Sequence, residues 1–167
     1  MKRILITGMS GTGKSTVIRA LAARGHRAVD LDCDDYSGWV VVTDDSQQPG
    51  TPVEPDKDWV WREDRVQELL STADGETLFV SGCASNMGKF RQQFDSMILL
   101  SAAAPVILDR LQTRQSNQYG KRSGEQGRVL SLIEAVEPLL RRGADHEIDT
   151  SAMTLESVVE QLEQFAE

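Results

Sequence analysis

Gly8 followed by four residues and then Gly13-Lys14-Ser15 is a spacing suited to gripping the phosphates of a nucleotide. Glycines bend the backbone where other residues cannot, so successive amide N–H groups turn inward on one small volume. Phosphate oxygens fit that volume. A helix starting near Gly13 adds the positive end of its dipole, and Lys14 can bridge the β- and γ-phosphates as a mobile charge. The residues expected to hold the nucleotide here are Gly8, Ser10, Gly11, Thr12, Gly13, Lys14, Ser15 and Thr16. Ser15 would ligate Mg2+ through its hydroxyl, and Lys14 would also act in catalysis. The expected cofactors are therefore ATP and Mg2+.

Three further groups carry chemistry. Asp30-Leu31-Asp32 closes a short apolar run, and strand alternation puts both carboxylates on one face. One could order a metal-bound water and the other accept a proton from an attacking hydroxyl, so Asp30 and Asp32 are metal candidates and Asp32 the base. Asp34 follows closely, and the division of roles among the three stays open. Arg110, Arg114, Lys121 and Arg122 form a basic cluster in an acidic chain. Arg110 and Arg114, four apart and on one helix face, would close over the transferred phosphoryl group. Trp39, Arg62, Gly82 and Asn86 are expected with Asp32 at the acceptor: Arg62 for a bidentate contact to an anion, Gly82 for close approach of a ligand to the backbone. Lys89 and Arg91 are weaker candidates from that region. A solvated acidic turn, a solvated basic face, a surface arginine and tryptophans that merely pack are the plainer alternatives. His26 and His146 lack a motif and read as structural.

These residues need a scaffold that collects them. Apolar runs at 4–6, 28–31, 77–80, 97–100 and around Ile148 alternate with helical spacing, such as Val17, Ile18, Leu21 or Val158, Val159, Leu162. Five strands alternating with helices imply a parallel sheet covered on both faces, with ligands at its carboxyl edge. Pro105 suits the first turn of a helix; Ser123 with Gln126 signals a capping box, and Pro138 should kink or divide the helix that follows. Two stretches lack core patterning: an insertion at about 34–60, expected to cover the substrate, and a lid at about 114–123. Trp61-Arg62-Glu63 is expected to begin the next helix.

At 167 residues the chain fits one domain. Its net charge of −8 argues against a nucleic-acid surface, which would display a basic patch. Cys33 and Cys83 offer neither a disulfide framework nor a zinc site. The first apolar run is too short for a signal peptide or membrane span, so a cytoplasmic location without membrane contact is expected.

With these motifs in place, the chain resembles the small P-loop kinases, the group containing adenylate, shikimate and gluconate kinases. The resemblance spans nearly the whole chain. It rests on Gly8 to Ser15, on Asp30-Leu31-Asp32, on Arg110 with Arg114, and on Ile148-Asp149-Thr150. It implies a three-layer α/β sandwich of the P-loop NTPase type, with five parallel strands in the order 2-3-1-4-5, and places Asp149 beside the adenine. Shikimate kinase is similar in layout. Arg65 stands where that family has an acid after Trp61-Arg62, and Gly82-Cys83-Ala84 replaces a triple-glycine turn. The implied function is transfer of the γ-phosphate of ATP to a hydroxyl or phosphate of a small-molecule acceptor. The alternative is a nucleotide-binding switch or weak ATPase acting through a protein partner, with the acidic insertion as its docking surface.

Overall fold

The alternating apolar residues of β1 (Arg3–Thr7) must be buried on both faces, and the fold does this by placing β1 at the centre of a parallel sheet. The computed structural model describes residues 1–43, 52–72, 74–115 and 118–167. Its main sheet contains β1, β2 (Arg27–Asp30), β5 (Leu78–Ser81), β6 (Ser96–Ser101) and β7 (His146–Asp149), in the spatial order β2-β5-β1-β6-β7. Counting only these five strands, that order is 2-3-1-4-5, as the resemblance implies.

Strand alternation divides the core into two layers. Ile4, Ile6, Phe79, Ile98 and Leu100 point to one side, against α1 (Lys14–Ala23) and α5 (Leu155–Ala166). Leu5, Val80 and Leu99 point to the other, against α2 (Glu63–Ser71) and α4 (Ser123–Gly143). A smaller cluster of Ala102, Ile107, Leu111 and Val129 fastens α3 (Ala104–Thr113) to α4. No helix among the described residues is long and apolar enough to cross a membrane.

Three local expectations need correction. Helix α4 is a single helix through Pro138. Pro138 and Glu134 are both exposed, so the Glu134 carbonyl that the proline leaves unbonded faces water and no break is required. The cap of α4 is not built on Ser123 and Gln126: Arg122 occupies the N-cap position, and Glu125 Oε2 accepts the N–H groups of Arg122 and Gly120, each at 3.2 Å. Trp61 does not begin a helix either. It ends β4 (Lys57–Trp61), which pairs antiparallel with β3 (Ser37–Val41) so that Trp39 lies opposite Trp59.

That hairpin is the main described part of the expected insertion; residues 44–51 of the insertion and 116–117 of the lid lie outside the described residues. The hairpin is tied down at three points. Ser37 Oγ donates to the Leu31 carbonyl at 2.6 Å, the Asn86 amide brackets the backbone of Trp61, and Arg128 on α4 donates to the carbonyls of Pro52 and Val53.

Phe79 is fully buried, with an edge contact to the His26 ring at 5.4 Å between centroids. Phe79→Ala is expected to cost about 3–5 kcal/mol in chemical denaturation, the usual range for emptying an aromatic site in a packed core.

Candidate functional site

The loop after β1 is shaped by three glycines with positive φ: Gly8 at 152°, Gly11 at 84° and Gly13 at 104°. At Gly8 a Cβ would lie 2.3 Å from the Leu100 carbonyl oxygen, so only glycine lets the chain leave β1 beside β6. At Gly13 nothing stands within 4 Å of a Cβ, which leaves the mouth of the loop open to a ligand. Thr12 is buried, donates to the Met9 carbonyl at 2.8 Å, and so closes the turn. Helix α1 begins at Lys14, and its first turn aims its N–H groups at the loop.

Lys14 is nearly buried. Its ammonium donates to the carbonyls of Gly8 at 2.7 Å and Met9 at 3.2 Å, with Asp32 Oδ2 at 4.0 Å. Ser15 Oγ donates to Asp30 Oδ2 at 2.6 Å, while Asp30 Oδ1 accepts from Ser81 Oγ and from the Asp32 N–H. The two aspartates therefore lie together at the sheet's carboxyl edge, Asp30 as the last residue of β2 and Asp32 in the bend that follows it. Asp32 Oδ1 accepts the Cys83 N–H at 3.2 Å. Desolvation pushes the Asp32 carboxyl up to about 6; Lys14 opposes this, and the neighbouring Asp30 charge adds to it. Burial also pushes the Cys83 thiol up.

Ser15 and Asp30 are hard oxygen donors in mutual contact beside Asp32, a set that fits Mg2+ completed by phosphate oxygens and water. No group of three or more His, Cys, Asp or Glu among the described residues is gathered to hold a metal without such help.

The cleft around the loop encloses 1310 Å³ and brings together most of the residues expected from the sequence. Its lining takes in the loop from Gly8 to Thr16, Asp30, Asp32, Arg110, Arg114 and Trp39. The two arginines differ. Arg110 is committed to the Gly11 carbonyl, Thr150 Oγ1 and the Thr150 carbonyl at 3.3, 2.9 and 2.7 Å, so it braces the loop and does not close over it. Arg114 caps the end of α3 and donates to the Tyr119 carbonyl at 2.7 Å at the base of the lid; burial holds its guanidinium below the ordinary value.

Four other candidates stand apart from the cleft lining. Arg62 lies over Gly38 and donates from Nε to the carbonyls of Asp34 and Ser37, on a separate surface with Asp64 and Arg65. Asn86 is buried and its amide is consumed by Trp61 N–H, Trp61 C=O and Glu63. At Gly82 the close approach is by the Trp61 indole and Asp32 Oδ1, within 3.0–3.2 Å of a Cβ position, and not by a ligand. Asp149 accepts the Ser151 N–H, which holds its carboxyl below the ordinary value, and its neighbour Thr150 is the residue that reaches the loop, through the Thr12 carbonyl at 3.1 Å.

Asp58, Trp59, Ser85 and Thr150 also line the cleft, in segments the sequence placed near it but without a role assigned to any of the four. The alternation Asp58-Trp59-Val60-Trp61 was the available strand signal, concealed by the acidic, proline-containing residues before it. Asp58 is buried; its Oδ1 accepts the N–H groups of Val53 and Trp59, and Ser85 Oγ donates to Oδ2.

A model of the AAA domain matches residues 4–131, from β1 through the loop and hairpin into α4. The chain belongs to the AAA domain family. It is 29% identical over 161 residues to a protein from Archaeoglobus fulgidus provisionally named an adenylate kinase, covering 96% of this chain and 79% of that one. It is 29% identical over 168 residues to a shikimate kinase from Caldanaerobacter subterraneus, covering 97% and 94%. The solved shikimate kinase from Acinetobacter baumannii, in complex with shikimate, superposes with a TM-score of 0.65 at 17% identity, covering 99% of this chain and 92% of that one. That likeness is one of fold. This AAA-family chain is thus similar along nearly its whole length to proteins named as small kinases.

Two outcomes follow for stability. Asn86→Ala leaves the Trp61 N–H and carbonyl unpaired in the core and should cost about 2–4 kcal/mol in chemical denaturation without changing ligand affinity. Asp32, raised when folded, binds a proton more readily in the native than in the unfolded chain between about pH 4 and 6. Its contribution therefore falls as pH rises through that window. Asp32→Asn should remove this dependence, so Tm of the variant relative to the parent rises from pH 4 to pH 7; a constant difference would contradict the desolvated carboxylate.

Proposed function

We propose that this chain transfers the γ-phosphate of ATP to a small-molecule acceptor. The observation that carries the reading is the position of Asp32, whose carboxylate lies 4.0 Å from the loop lysine and on the same cleft as Trp39, Trp59, Asp58 and Ser85. The loop amides and Lys14 hold the triphosphate of the donor. Ser15 and Asp30 hold Mg2+, which when bound neutralises phosphate charge and orients the transferred group. Arg110 keeps the loop and the segment at Thr150 in register, and Arg114 stands at the lid base where it can meet developing charge.

Asp32 takes the proton of the acceptor hydroxyl as that oxygen attacks. Desolvation makes it a stronger base than an ordinary aspartate, while Lys14 keeps it largely ionised at neutral pH. Arg62, Gly82 and Asn86 support the hairpin and the Asp32 turn and do not touch the acceptor. The compatible alternative, a switch working through a protein partner, lacks an observation that favours it over a cleft with a base already facing the phosphate loop.

ADP formation measured across hydroxyl and phosphate acceptors tests the reading: turnover should depend on acceptor, and its absence for every class would overturn it. Asp32→Asn should keep nucleotide affinity while lowering kcat by about 100- to 10,000-fold. The parent should lose activity as pH falls through about 6, where Asp32 gains its proton.

A further inference from the structure

The acceptor end of the cleft differs in charge from what an anionic acceptor requires. All the lysines and arginines of the chain are among the described residues, so the cations bordering this end can be followed one by one. Of the cations in the lining, Lys14, Arg110 and Arg114 belong to the loop and the lid base, Arg19 donates to the Ser15 carbonyl at 3.2 Å, and Arg91 is engaged by Asp145 at 2.9 Å and by the carbonyls of Gly143 and Phe94. Arg62 is turned to Asp34 and Ser37, Arg128 to Pro52 and Val53, and Lys89 to Glu63 at 2.7 Å. Lys57 stands outside the lining, 4.5 Å from the centroid of the Trp39 ring.

What the cleft does present there is acidic and aromatic. Asp58 is 1% exposed, forms no ion pair among the described residues, and is fixed in the lining by two backbone amides and Ser85. In the same lining Trp39, 51% exposed, meets Trp59 edge to face at 5.2 Å. A carboxylate or phosphate brought to this place would meet the fixed charges of Asp58 and Asp32 with its own desolvation uncompensated. A hydroxyl or ammonium would instead donate to Asp58, and the apolar face of a ring would lie on the tryptophans.

We propose that the acceptor is a ring alcohol carrying no anionic group, neutral or amine-bearing, selected by Asp58 and the Trp39–Trp59 pair. This rests on the kinase reading above.

Matched ring pairs that differ at the anionic group test it: glucose against glucuronate, adenosine against AMP, and the methyl ester of shikimate against shikimate. Two quantities are measured for each, ADP release and tryptophan-fluorescence titration with a non-hydrolysable ATP analogue bound. The non-anionic member should be favoured at least about tenfold in kcat/KM or affinity, and Asp58→Asn should narrow that gap. Trp39→Ala, at a half-exposed site, should raise KM for the non-anionic member about tenfold with kcat held, and it keeps the test open if Asp58→Asn does not fold. Faster turnover of the anionic members would overturn this inference and leave the kinase reading standing. Preferential binding of the non-anionic members without any ADP release would overturn the kinase reading and leave the charge preference standing. Neither binding nor turnover in any pair would overturn both.

Discussion

Parallel pairing of β1 between β5 and β6 brings the carboxyl ends of every strand in the main sheet to one edge, and the site depends on that constraint. Backbone hydrogen bonding sets the register without regard to the polar residues that follow each strand. The phosphate loop, the Asp30–Asp32 turn, the Cys83 turn and the Thr150 turn therefore meet although they are far apart in the chain. Gly8 makes the junction possible, because the chain must pass the Leu100 carbonyl with no room for a side chain. The helices on both faces keep the sheet dry, and their burial of apolar surface holds this edge in place.

On that edge, electrostatics are arranged by backbone groups as much as by side chains. Lys14 is held by two carbonyls, Asp32 by an amide, and Arg110 by the carbonyls of Gly11 and Thr150. Such partners cannot swing away, so the charges stay where the fold puts them. Asp32 is the exception in energy: desolvation makes its charge costly, and Lys14 offsets only part of that cost. A carboxylate held at a disadvantage in the ground state is well suited to accept a proton.

The hairpin is the part of the molecule in which this chain acquires its own character. The interior side of its anchoring is polar, through Ser37, Asn86 and Arg128, while its cleft side offers Trp39, Trp59 and Asp58. The same hairpin turns Arg62 away from the cleft by giving its guanidinium carbonyl partners at Asp34 and Ser37. A fold shared with the solved shikimate kinase is thus combined with a cleft that this hairpin lines in part.

The phosphate loop, the five strands and the paired aspartates were legible in the linear sequence because each is a local pattern: glycine spacing, apolar runs, alternation along one strand. Pro138 and Ser123 misled for the same reason, since their local signals were overridden by an exposed helix face and by Glu125. The placement of Arg62, Asn86, Gly82 and Asp149 could not be read from spacing, because any polar residue after a strand has the same local signature whether it faces ligand or backbone. Tertiary structure decided that Arg110 braces the loop, that Asn86 clamps Trp61, and that Asp58 and Ser85 line the cleft. These outcomes depend on which buried carbonyls and amides lacked partners once the layers had packed, a requirement that exists only in the folded chain.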